Sequence, residues 1–113
     1  MSKSIMQDYS KGECYLCALL HDDHHRQRTT EEHHVFFGPN RKLSEHYGLK
    51  VRLCVEHHRT GPEAVHRNEK VRRILCQRGQ IAFMQAHPYE DFVQIFGRNY
   101  LDEVPGKIPP DNK

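Results

Sequence analysis

The sequence contains no tryptophan, and phenylalanine and tyrosine together supply only 9% of its residues. Hydrophobic residues reach 36%, against 28% charged, in a chain of 113 residues. So little apolar material in the length of one small domain makes a thin core, and such cores usually need a staple. The same length excludes a TIM barrel, a full dinucleotide-binding fold and any large pocketed enzyme. Long hydrophobic runs are also missing: the longest ends at Leu20 and meets the polar stretch HDDHH, far short of the ~20 residues of a membrane helix. The opening residues, MSKSIMQDYSKGE, hold no apolar signal core, so a cytoplasmic chain is expected. Neither sign of charge dominates. Lys and Arg number 17 and Asp and Glu 15, a net +2 with histidine neutral, which by itself indicates no partner. No internal repeat is visible.

What the chain has in excess is histidine, 10 residues alongside 4 cysteines. A reducing compartment makes metal ligation or plain burial the more common use of cysteine. Cys14 and Cys17 form C-x2-C, and Cys54-Val55-Glu56-His57 forms C-x2-H. Together they supply Cys3His, a closed tetrahedral set with no open position, hence structural zinc. That staple would tie residue 14 to residue 54 and supply what the core lacks. His58 is the alternative fourth ligand, with spacing favouring His57. The competing interpretation, ordinary buried thiols or a redox pair, is weakened because the two half-sites agree. Cys76, mid-helix on an apolar face, reads as a core residue.

Patterning predicts an α+β domain over residues 13–101, between a loose N-terminus (1–12) and a flexible tail (102–113). Residues 13–20 read as a turn followed by an apolar stretch, and 21–28 as a charged surface segment. Residues 30–37 and 49–54 read as strands. Between them, 38–48 reads as a loop with a helical turn. A helix is expected from Pro62 or Glu63 to Ala86, on the spacing of Val71, Ile74, Leu75, Cys76, Ala82 and Phe83, with Gly79 interrupting it. A short helix over 89–96 is capped by Gly97.

After zinc takes its ligands, His33, His34, His58 and His66 remain. On one unbroken helix His58 and His66 would lie about 12 Å apart along the axis, but Gly61-Pro62 breaks the chain and allows them to meet. A divalent ion on two or three imidazoles keeps positions open for a phosphate oxygen and water. A neutral imidazole beside it can accept a proton near neutral pH. Arg41, Lys42, Arg52, Arg59 and Arg67 surround these positions as candidate phosphate contacts. Adjacent strand residues face opposite ways. His33 and His34 therefore share one site only if the strand end is distorted; otherwise one of them packs or orients its neighbour. HDDHH, His46 and His87 read as solvated surface; the pair Glu31-Glu32 could support the ligands but more often is a solvated edge.

The order C-x2-C, then EEHHVFFGPNRKLSEHYGL, LCVEHH, AVHRN and FVQIFGRNYL resembles the HNH, or His-Me finger, nucleases, and among them small proteins encoded by phages and prophages. The resemblance covers about residues 14–101. It implies a ββα-metal fold with an added zinc knuckle, in a bacterial host's cytoplasm. It implies DNA cleavage, by nicking or by a double cut, leaving 5′-phosphate and 3′-hydroxyl ends. His34 matches the general base. His33, His58 and His66 match the ligands of a catalytic Mg2+, Mn2+, Ni2+ or Zn2+. Cys14, Cys17, Cys54 and His57 match the knuckle, with His57 where cysteine is commoner. The family's middle Asn, just before the second strand, is replaced by Gly48-Leu49, and Asn40 lies earlier in the loop. DNA is the implied partner, with no membrane, for a monomer or weak homodimer. The competing function is a non-catalytic zinc-stabilised DNA-binding module of phage recombination or packaging. A Cys2His2 finger fails on spacing, because about 12 residues are expected between its pairs and here nearly forty separate Cys17 from Cys54.

Overall fold

A computed structural model describes residues 3–103. Of the expected tail, 102 and 103 complete a 3-10 turn over Tyr100–Glu103, and 104–113 lie outside the described residues. The architecture is a small α+β domain: α1 (Tyr15–His21), β1 (Glu31–His34), α2 (Arg41–His46), β2 (Lys50–Leu53), α3 (Glu69–Ala86) and α4 (Phe92–Phe96). The sheet has two antiparallel strands, with Glu31 opposite Leu53, His33 opposite Val51 and His34 opposite Lys50. Among the described residues no helix is long and apolar enough to cross a membrane.

Residues 3–12 are tied down rather than loose. Ser4 Oγ donates to the Lys50 carbonyl (2.6 Å), Ile5 N–H to the Gly48 carbonyl (2.9 Å), and Arg52 N–H to Gln7 Oε1 (2.7 Å). The segment thus satisfies the backbone groups on the free edge of β2, which a two-stranded sheet would otherwise expose. Hydropathy does not encode that kind of contact.

The core joins Leu16 of α1 to Val51 and Leu53 of β2, with Val35, Phe36, Leu75 and Phe83 beneath. Phe36, Phe83, Phe92 and Phe96 make one aromatic cluster, with ring centroids 4.4–5.7 Å apart. α3 differs from expectation at two points. It begins at Glu69 because Asn68 caps it, its side chain accepting from Val71 N–H (3.1 Å); this is the usual role of Asn at a helix start. Residues 62–67 are spent on turns instead, among them Val65 N–H to the His57 carbonyl (2.8 Å).

Gly79 does not interrupt the helix. A Cβ there would sit 3.0 Å from both Phe36 Cε2 and Val35 Cγ1, so the glycine lets α3 lie directly against the chain leaving β1. Gly79→Ala would gain up to ~1 kcal/mol in helix propensity but would overpack this contact at about 1–3 kcal/mol. A lower melting temperature is expected; a raised one would show that the contact yields freely.

Candidate metal centres

Cys14 stands at the N-cap of α1 and receives the Cys17 N–H on its sulfur (3.4 Å). This first turn presents both sulfurs on one side. Cys54 follows β2 directly, and His57 comes from a single π-type turn, Glu56–Thr60. His57 Nδ1 lies 3.6 Å from Cys14 Sγ, 3.3 Å from Cys17 Sγ and 3.5 Å from Cys54 Sγ, and the Cys17 and Cys54 sulfurs are 3.9 Å apart. A tetrahedron with metal–sulfur legs of about 2.3 Å and a metal–nitrogen leg of about 2.1 Å has edges of about 3.8 Å (S–S) and 3.6 Å (S–N). The four residues are therefore spaced as a cage that can hold a metal ion. Burial pushes the Cys17 and Cys54 thiols above their ordinary range, and the charge of Cys14 adds to it. A bound cation reverses that preference by stabilising thiolates. Glu63 Oε1 meets His57 Nε2 (3.1 Å) and His21 Nε2 (2.6 Å), an outer carboxylate that fixes the ring with Nδ1 inward.

The π-type turn separates the two adjacent histidines. Adjacent residues on a helical turn point in different directions: His57 enters the cage and His58 a second cluster. There His33, His58 and His66 bring ring nitrogens within 4.8 Å of one another. Ring centroids are 5.3 Å apart for His33–His58 and His33–His66, and 4.9 Å for His58–His66. His33 and His58 are buried while His66 is exposed, so the cluster opens to solvent on one side. His33 Nε2 is buried without a hydrogen-bond partner. Burial, then the charges of His58 and His66, lowers the His33 pKa to about 3. The same two influences, burial and His58, lower that of His66. Neutral imidazoles with unused lone pairs are what a divalent ion requires. His58 Nδ1 is engaged by Glu31 Oε1 (2.6 Å), leaving Nε2 for the cluster, and Glu31 also accepts from Arg59 Nε (3.0 Å).

His34 is not brought to this cluster. It occupies the opposite face of β1, with its Nε2 2.7 Å from Glu45 Oε1. The undistorted strand enforces the alternation. Glu32, His34 and Glu45 also gather within 4.8 Å, but the buried Lys50 ammonium already lies 2.9 Å from Glu45 and 3.5 Å from Glu32, so a cation of the chain's own fills that set. Of the basic residues, Arg59 and Arg67 adjoin His58 and His66. Arg67 Nη1 donates to the Thr60 carbonyl (2.8 Å). Arg41 and Lys42 are exposed on α2. Arg52 shares the face of Glu32 and Lys50, bound to Thr30 and lying over the Tyr9 ring. Asn40 Nδ2 donates to the Phe96 carbonyl (2.9 Å), bracing α4.

Sequence reasoning misses Glu63 and Arg72, and ranks Glu31 as a solvated edge ahead of its other reading as a ligand support. Glu31 had a usable signal, since it lies two residues before His33 on the same strand face. Arg72 Nη1 reaches the Val65 carbonyl (3.1 Å), beside His66. Glu63 had no pattern to betray it. Comparison with protein families, curated proteins and solved structures returned no match. Among the described residues, the fold and site define only a small α+β chain with a Cys/His cluster that can hold a metal ion, beside a cluster of three histidines.

Proposed function

We propose that the chain is a metal-dependent DNA endonuclease of the HNH, or His-Me finger, kind, in which β1, β2 and α3 make the ββα unit. The cage of Cys14, Cys17, Cys54 and His57 holds structural zinc. His33, His58 and His66 hold the catalytic divalent ion. The observation that carries this reading is the orphaned, buried Nε2 of His33 at the back of a three-imidazole cluster that opens to solvent.

When bound, a divalent ion supplies Lewis acidity: it acidifies water and offsets charge building on a phosphoryl group. The chain's own residues do the rest. Glu31 holds His58 in one tautomer and orientation. Arg59, Arg67 and Arg72 carry fixed positive charge beside the cluster for phosphate oxygens. In the overall hydrolysis, a water oxygen bonds to phosphorus as the P–O3′ bond breaks, giving 5′-phosphate and 3′-hydroxyl ends. His34, expected as the base, faces away from the cluster and pairs with Glu45 on the other face of β1. That displacement is also the observation favouring the second reading, a non-catalytic zinc-stabilised DNA-binding module.

Supercoiled plasmid incubated with zinc-loaded protein distinguishes the two. Nicking is expected with added Mg2+, Mn2+ or Ni2+ and not without them. No cutting with any ion would leave the binding-module reading.

A further inference from the structure

Four of the five phenylalanines share the core cluster, and the fifth, Phe37, is 50% exposed. It edges a cleft of about 180 Å3 whose walls include Arg72, Arg73, Arg98, Glu69 and Tyr100. Three guanidinium groups face one carboxylate, an excess of two positive charges in one cleft, as large as that of the whole chain. The groups are anchored. Arg72 bonds the Val65 carbonyl, Arg73 Nη2 meets Glu69 Oε2 (3.0 Å), and Arg98 lies over the Tyr100 ring (5.1 Å). Arg72 also joins the cleft to the histidine cluster, since the carbonyl it bonds is that of Val65, next to His66.

An exposed aromatic face beside fixed guanidinium groups is the chemistry that takes an unpaired base and its flanking phosphates. A duplex keeps its bases stacked on one another and has no use for the ring. We propose that this cleft seats an unpaired nucleotide of the substrate strand, Phe37 stacking on the base and Arg73 and Arg98 holding phosphate, so that the preferred DNA carries a single-stranded segment beside the cleavage site. The proposal rests on the nuclease reading for its substrate, but its test reads binding alone.

Zinc-loaded protein, without other divalent ions, would be titrated into a labelled oligothymidylate and into a duplex of the same length, following fluorescence anisotropy. The single strand is expected to bind more tightly. Phe37→Ala should weaken single-strand binding by at least about fivefold and leave duplex binding unchanged. Arg73→Gln with Arg98→Gln should flatten the salt dependence, by about 0.7 in logarithmic slope for each phosphate no longer neutralised. Arg78→Gln, an exposed α3 residue outside the cleft, should do neither. Because the chain has no tryptophan, Phe37→Trp gives a sole reporter whose fluorescence should be quenched by oligothymidylate. Preference for the duplex, a Phe37→Ala protein that binds as wild type does, or an unquenched Trp would each overturn the proposal. Phe37-dependent binding without cleavage of plasmid or of a duplex carrying an unpaired segment sinks only the nuclease reading. Cleavage with no effect at Phe37 sinks only the cleft.

Discussion

Cys17→Ser is expected to unfold the domain, not merely to soften it. The apparent free energy of binding structural zinc in small domains is about 10–16 kcal/mol near neutral pH, as large as the total stability of a typical domain, about 5–15 kcal/mol. Here the ligands come from the start of α1, the end of β2 and the π-type turn after it. Losing one of them frees α1 from the sheet and His57 from its position. The histidine cluster then disperses too, because His58 follows His57 directly. Circular dichroism and zinc content of the purified protein check this: loss of cooperative melting together with loss of zinc is expected. Cys76→Ser is the control. Cys76 is equally buried but its sulfur reaches the Val35 carbonyl (3.8 Å) and no cage, so a cost of about 1 kcal/mol with zinc retained is expected. A Cys17→Ser protein that melts like wild type would remove the staple from the account of this fold.

The cage was legible because each half of it is local. Cys14 with Cys17, and Cys54 with His57, fall within one turn of each other, so spacing alone proposes them. Spacing favours His57 over His58 but does not fix the choice. The turn's winding decides that, and it follows from where Cys54 and Val65 are held, not from the residues of the turn. The same limit applied at His33-His34. Strand alternation lets both serve a common site only if the strand end is distorted; that it is not, and which of the two then serves, depends on the register with β2, a tertiary fact. α3 starts later than the pattern predicts because Pro62 to Arg67 contain nothing that forbids a helix except the better cap at Asn68. The N-terminal segment carries no periodic signal at all, since its attachment to β2 runs through Ser4, the Gln7 side-chain oxygen and backbone groups. In each case local chemistry was readable and the choice among near-equal partners was not.

His66→Ala gives the cleanest separation of chemistry from folding, because His66 is the one exposed member of its cluster. Its removal should cost no more than about 0.5 kcal/mol of stability, as for other surface substitutions. On the proposed nuclease reading, the ion that His66 would help hold is worth several kcal/mol to the reaction, so cleavage should fall by about 1,000-fold at tenfold per 1.36 kcal/mol. Glu31→Gln should act on the same site from outside it. It leaves all three imidazoles in place but weakens the bond that orients His58, so the metal concentration giving half-maximal cleavage should rise about 10–100-fold. His34→Ala should show the opposite balance to His66→Ala. It strips one partner from Glu45, which Lys50 still holds, and its cost should appear first in the melting temperature, with a smaller loss of cleavage. Parallel plasmid-nicking and melting measurements on the three variants read this pattern directly. Full cleavage by His66→Ala, with none by a folded His34→Ala, would move the reacting phosphate to the other face of β1 and remove the three-imidazole cluster from the mechanism. The geometry argues against that outcome, because the far face already has an ammonium group where a metal would have to sit.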